Sequence, residues 1–427
     1  MNKILIIYPH FPPSNLAGIH RPRFFAQHLP EFGWQPTILT VHEKFYEESH
    51  DWNLVKLLPK DLRIEKVSAF NVSRPRIVGD IGLRAFFQLY KGALKVIKEE
   101  TIDFIFIPIP SFYCALLGRM LKMKTGVPYG IDYIDPWVHQ FPGSNKIFSR
   151  HWLSTRIAKL LEPIAVKNAS LITGVAEGYY LPVLERNPKL RERAIQGAMP
   201  YGGEVKDHQA LQELGIKPYL FQPNNKLQFV YAGAMLPKAF APLKAICKAI
   251  AAHREDFEDV EFHFIGTGSR TNDPQSYNIK PIALEYGLWE SIIFEYPKRI
   301  PYLDVLVHLD SAKAAFVLGS TEPHYTPSKV YQAVLSGKPL FAVLHSKSTA
   351  VQVIRESGSG VVLDFDGEAA VPEVEKRFNA TFKEFRAFFN SFNPEQVDMK
   401  KFDSYSAKNV TRKLAELLNR ALEIKNG

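Results

Sequence analysis

Apolar residues recur along this chain in two rhythms. Short continuous runs, among them Lys3–Tyr8 (KILIIY), Asp103–Pro108 (DFIFIP) and Ser170–Val175 (SLITGV), are bounded by turn formers. That pattern belongs to strands covered on both faces of a parallel sheet. Between them lie stretches with apolar positions three and four apart. Leu83–Glu99 carries Phe86, Phe87, Tyr90, Leu94 and Ile97 on one side, and Trp152–Asn168 and Ser406–Ile424 read the same way. Such spacing predicts amphipathic helices. Strands at Gln35–Val41 and Tyr129–Ile134 and a helix at Phe112–Met123 complete a first alternating series. A second opens at Leu227–Ala232 (LQFVYA) and continues through Val260–Ile265 (VEFHFI), Ser291–Phe294, Ala314–Val317 and Pro339–Val343.

Alternation of this kind predicts right-handed βαβ units. The expected fold class is α/β, two Rossmann-like doubly wound domains facing a central cleft, with ligands at the carboxyl ends of the strands. A chain of 427 residues is long enough for two such cores. The polar stretch at 204–226, with its Lys-Pro, Gln-Pro and Asn-Asn pairs, is expected as a linker. It separates an N-terminal domain, 1–203, from a C-terminal domain, 227–400; residues 401–427 form a last helix expected to pack back toward the first domain.

Composition narrows the functional classes. No run reaches the ~18 apolar residues of a membrane-spanning helix, and the opening strand leads into Pro9 without a signal-peptide cleavage pattern. Cys114 and Cys247 sit alone in apolar runs, which fits a reducing, cytoplasmic setting and excludes a disulfide framework. There is no metal motif such as H-E-x-x-H or paired cysteines, so no metal site is expected. The formal charge of +9 is spread along the chain, which fits an anionic partner or simply a basic, solvated surface.

Three segments can carry chemistry. Thr326-Pro-Ser-Lys-Val-Tyr-Gln-Ala-Val-Leu-Ser-Gly337 reads as a helix with Thr326 as N-cap, Pro327 in the first turn and Gly337 as terminator. The amides and hydroxyl at Ser328 and the Lys329 ammonium would then converge on an anion such as a diphosphate. The alternative is a well-capped helix with a solvated lysine. The loop Phe11–Pro22 follows the first strand and holds Gly18, His20 and Arg21, but it lacks the glycine spacing of a dinucleotide fingerprint. Asp132-Tyr-Ile-Asp-Pro-Trp137 with His139 follows another strand; Asp135 is held extended by Pro136, and His139 is a candidate base. Gly266-Thr-Gly268 after a strand is a weaker signal that also fits a tight turn.

Taken in order, five segments resemble the GT-B-fold glycosyltransferases, specifically the retaining enzymes of family 4 (group 1). These are the opening KILIIYPHFPPSNLAGIHRPRFFAQHLPEFGWQPTILT, then YGIDYIDPW, LQFVYAGA, FHFIGTG and TPSKVYQAVLSGKPLFAVL. The resemblance implies sugar transfer from a nucleotide-sugar donor, UDP- or GDP-linked, to a glycan or polyprenyl-linked acceptor. It implies retention, no metal and no other cofactor, a place in polysaccharide biosynthesis, and no nucleic-acid partner. By position it puts Gly18 and Arg21 near the donor phosphates or acceptor, and Lys329 and Ser328 on the diphosphate. Gly266 and Gly268 border the nucleotide pocket, and Asp135 and His139 accompany Lys329 as catalytic candidates. The family's paired glutamates fall at His324 and Gln332, Gln332 being where the donor ribose is contacted. Its Arg–Lys pair is reduced to Lys238, and its arginine before Asp135 is Ile134. These departures keep two other readings open: a non-catalytic nucleotide-sugar binder and a GT-B-fold epimerase. Basic residues on two amphipathic helices (Arg84, Lys91, Lys95 and Lys98; Arg150, Arg156, Lys159 and Lys167) raise the expectation of peripheral contact with the inner membrane face, against ordinary core-packed helices.

Overall fold

The computed structural model describes residues 1–72, 79–138, 146–270 and 272–426, with the side chains of Arg150 and 424–426 outside that set. The chain divides into two compact units: residues 1–201 with the last helix, Ala407–Asn426, and residues 202–406.

The first unit is built on a seven-stranded sheet. Its strands are β1 (Asn2–Ile7), β2 (Trp34–Val41), β3 (Arg63–Val67), β4 (Phe104–Ile109), β5 (Tyr129–Tyr133), β6 (Leu171–Gly174) and β7 (Ile195–Ala198). All pairings are parallel, in the order β3-β2-β1-β4-β5-β6-β7. Central β1 and β4 are buried on both faces, which is why their sequences are continuous apolar runs rather than alternating ones. One face packs on Leu89, Ala93, Leu117 and Leu121 of two helices. The other packs on Phe25 and on Val410, Leu414, Leu417 and Leu418 of the last helix. That helix is pinned by Trp34, whose Nε1 donates to Asn419 at 3.0 Å, and by the Lys408–Glu31 pair.

The second unit carries six parallel strands in the order β10-β9-β8-β11-β12-β13. They are β8 (Leu227–Ala232), β9 (Val260–Ile265), β10 (Ile293–Tyr296), β11 (Ala314–Leu318), β12 (Leu340–His345) and β13 (Gly360–Phe365). A cluster of phenylalanines, including Phe229, Phe262, Phe341, Phe382 and Phe385, fills one side of this sheet. Each such ring stabilises the unit by roughly 1.5–3 kcal/mol when taken fully out of water.

The segment expected as a linker is in part regular structure. Val205–Glu213 is a helix with Asp207, Ala210 and Leu211 buried, and Tyr302 Oη donates to Asp207 Oδ2 at 3.0 Å. Its buried residues, Asp207, Ala210 and Leu211, lie three and four apart from Asp207, so a polar composition still gives one packed face.

Candidate functional site

Both sheets reverse their winding beside their first strand. In such sheets the loops leaving the two strands at the reversal diverge and leave a crevice at the carboxyl edge, the usual place for a ligand. In the second unit the reversal lies between β8 and β11. The loop after β8 begins at Gly233, whose φ of +120° a side chain would strain, and whose amide donates to Ile265 O at 2.8 Å. The Lys329 side chain reaches this point. Its Nζ would lie 3.3 Å from a Cβ placed on Gly233, and it sits 3.5 Å from the centroid of the buried Tyr231 ring. That nitrogen is buried and has no hydrogen-bond partner among the described residues. Burial pushes its pKa well below the ordinary lysine value. A desolvated amine beside a strand-end glycine has the donor chemistry that an anionic oxygen would satisfy.

The surrounding residues sort themselves around this point. Lys238, also in the loop after β8, lies 3.4 Å from Glu322 in the loop after β11. Gly266 adopts φ +72° and donates its amide to Tyr296 O, while a Cβ on Gly268 would come within 2.4 Å of Ser276 Oγ. Both glycines are therefore required by the turn after β9. Glu295 fixes that turn by accepting from Thr267 Oγ1 and the amides of Asn278, Ile279 and Lys280 at 2.7–3.0 Å.

Two expectations about this segment are corrected. The helix starts at Lys329 and runs only to Leu335, and Thr326 does not cap it. Its hydroxyl pairs with that of Thr349 at 2.8 Å, and Ser328 makes no capping bond either. Gln332 is buried, and its Oε1 accepts from His208 Nε2 at 2.9 Å, so that oxygen is engaged in packing against the Val205–Glu213 helix.

In the first unit the reversal lies between β1 and β4. Tyr8, just past β1, is buried, and Gly18 covers its hydroxyl so closely that a Cβ there would stand 2.4 Å from Tyr8 Oη. Arg21 departs from its expected role. It is fully buried, donates to Asp132 through Nε (2.5 Å) and Nη2 (2.9 Å), and to Pro200 O through Nη1 (2.9 Å). Thr173 Oγ1 adds a bond to Asp132 Oδ1 at 2.7 Å. A bidentate pair satisfied on this scale holds the helix after the loop to β5 and leaves no guanidinium charge exposed for a phosphate.

Asp135 is open to solvent yet lies among many protein atoms, and that crowding raises its pKa to about 6. His139 lies outside the described residues.

One group escaped the sequence reading. His10 Nδ1 meets Glu48 Oε1 at 2.7 Å, and Ser14 Oγ donates to the same oxygen at 2.5 Å. Burial works to raise the Glu48 pKa, but the bonds from His10 and Ser14 outweigh it and hold the pKa below its usual value. A carboxylate on Nδ1 orients the ring and leaves Nε2 for other chemistry. His10 lies three residues past the end of β1, a position that could have singled it out. Glu48 lies 38 residues away, and no local spacing links the two.

Among the described residues no three His, Cys, Asp or Glu side chains gather as a metal-binding set. No helix there is long and apolar enough to cross a membrane.

No protein-family model matches the chain, and neither does any curated protein. Solved structures do. Sucrose-phosphate synthase from Thermosynechococcus elongatus is similar over 98% of this chain and 99% of its own, at 13% identity and a TM-score of 0.65. Anabaena HepE, solved in complex with UDP-glucose, is similar over 98% and 99%, at 13% identity and a TM-score of 0.62. The α,α-trehalose 6-phosphate synthase of Burkholderia multivorans is similar over the full length of both chains, at 11% identity and a TM-score of 0.60. At such identities the likeness is one of fold, and the fold is GT-B.

Proposed function

We propose that this protein is a glycosyltransferase that binds a nucleotide-sugar donor in its second unit, at the carboxyl edge between β8 and β11. The observation that carries the reading is the Lys329 amine, buried and without a hydrogen-bond partner among the described residues, at a sheet's winding reversal. A diphosphate would supply the missing negative charge and acceptor oxygens, and its dianion would restore the proton that burial removes. The GT-B neighbours support the reading, including one solved with UDP-glucose. UDP- and GDP-linked hexoses are the proposed donors, and a glycan or polyprenyl-linked acceptor in polysaccharide assembly is the proposed recipient. Lys329 would neutralise charge on the leaving diphosphate, so we take the reaction to be metal-independent. Asp135 would act on the acceptor side.

The resemblance to family 4 favours retention, in which the leaving phosphate oxygen takes the acceptor proton. The His10–Glu48 pair supports a second reading. His10 Nε2 would take the proton from an acceptor hydroxyl as its oxygen bonds to the anomeric carbon. The electron pair of the breaking C–O bond would pass to the diphosphate, and the product would be inverted. A thermal-shift screen across UDP-, GDP-, ADP- and dTDP-sugars tests donor binding. Stabilisation of about 2.7 kcal/mol is expected from the right donor at 100 times its dissociation constant, and no response to any of them removes the reading. The anomeric configuration of the product by NMR separates the two stereochemical courses. A His10→Gln variant should lower kcat about 10²–10⁴-fold if His10 is the base, and leave it unchanged under retention.

A further inference from the structure

The two helices that sequence reading marked for membrane contact fare differently. Arg84, just before the helix Phe86–Glu99, is buried and bonded to Phe70 O and Glu47, and Lys95 on that helix lies beside Glu65 and Glu99, so two of the four cations of this set are engaged by acids. The helix Arg150–Val166 differs. Leu153, Arg156, Leu160, Ile164 and, just past its end, Lys167 are spaced 3, 4, 4 and 3 residues apart and are all exposed. That spacing puts three aliphatic side chains and two cations on one outward stripe, with Leu160 68% exposed. The inward side is accounted for by Ala158, Ala165 and Val166, which are buried.

Three further facts extend the stripe into a surface. Phe148, next to the helix start, is 89% exposed and holds a φ of +65°, a conformation costly for an aromatic residue. The neighbouring helix, Ala115–Thr125, is tied alongside by Arg119 Nη1 to Ile164 O (3.2 Å) and Lys122 Nζ to Asn168 O (2.8 Å), and it exposes Met123 and Lys124. The third fact is charge. Within residues 112–125 and 146–168 the sole acidic side chain is Glu162, buried and paired with Arg186 at 2.8 Å.

We propose that this face docks on an anionic lipid bilayer, with Phe148, Leu153 and Leu160 entering the headgroup boundary and Arg156, Lys159 and Lys167 meeting lipid phosphates. An apolar stripe whose exposed charged neighbours on the helix are all cations is the composition of an interfacial helix, and basic residues on it are drawn to the negative surface potential of anionic lipid. A protein partner of ordinary surface would supply no reason for the exclusion of acids. Read together with the proposed donor site, the surface favours an acceptor presented at a bilayer, and that clause alone rests on the proposed function.

Co-sedimentation of the full chain with phosphatidylcholine vesicles containing or lacking about a third phosphatidylglycerol tests this. Binding should require the anionic lipid and weaken as salt is raised. Leu160→Glu with Phe148→Ser should lower the partition coefficient about tenfold or more. Lys91→Glu with Lys98→Glu, on the helix Phe86–Glu99, should change it far less. No binding to anionic vesicles overturns the proposal, as does equal loss from both pairs of substitutions. Lipid-free self-association that Leu160→Glu abolishes would also overturn it, assigning the face to a second copy of the chain. Donor binding by thermal shift in the same variants should be unchanged, which keeps failure here distinct from failure of the donor reading.

Discussion

Replacing Lys329 by Met should make the free protein more stable and its nucleotide complex weaker. Met keeps the length of the unbranched stem, so packing against Tyr231 survives while the amine is lost. A buried amine without a hydrogen bond costs about 1–3 kcal/mol, and an uncharged N–H over a ring returns about 0.5–1 kcal/mol of that. Removing it should therefore stabilise by about 1–2 kcal/mol. For a unit of this size each 1 kcal/mol moves Tm by about 2–4 °C, so a rise of roughly 2–8 °C is expected. The pH dependence follows from the depressed pKa. Below the ordinary lysine value of 10.5 the unfolded chain holds a proton that the folded one does not, so stability rises with pH toward that value. The Met variant should lose that slope. Titration calorimetry should show nucleoside diphosphate bound about 10- to 150-fold more weakly, the scale of about 1.5–3 kcal/mol for bonds to a charged group. A variant less stable than the wild type, with unchanged nucleotide affinity, would refute the reasoning and leave Lys329 a packing residue.

Arg21→Met should destabilise the first unit by about 3–5 kcal/mol, because it strands the buried Asp132 carboxylate without its cation; denaturant melts measure this. Nucleotide affinity of the folded fraction should be unchanged, and its loss would return Arg21 to the donor site. His263, stacked on Phe221 at 4.1 Å and 3.3 Å from Glu261, has its pKa lowered by burial from 6.5 to about 4, against the opposing pull of that carboxylate. Between those values the unfolded chain binds the extra proton, so stability should fall by up to about 3 kcal/mol as pH drops from 6.5 to 4. His263→Phe should flatten that part of the curve, and an unchanged pH profile would show that the ring is not desolvated.

Fold class was legible because strands covered on both faces leave uninterrupted apolar runs. LQFVYA and VEFHFI marked β8 and β9 to the residue, and β1, β4 and β12 to within two. The edge strands of the first sheet were not. β3 (RIEKV) is charged and half-exposed, and β7 (IQGA) has a single large apolar residue, so neither carries a buried period. Within the site, Lys329 could be singled out from its segment, but the reason for its importance could not. Neither the Tyr231 ring beneath it nor the open carboxyl edge between β8 and β11 can be read from local spacing. The misreading of Arg21 has the same origin. A loop arginine before a helix looks like an anion ligand until Asp132, 111 residues on, is found to hold it. His10 was missed because its partner, Glu48, lies in a different loop.

The most direct test of the donor site is a structure of the protein with uridine or guanosine diphosphate bound. The account predicts a phosphate oxygen within hydrogen-bonding reach of Lys329 Nζ, about 2.7–3.2 Å, beside the Gly233 turn. A nucleotide bound elsewhere, with Lys329 Nζ still resting on the Tyr231 ring and no phosphate near it, would contradict it.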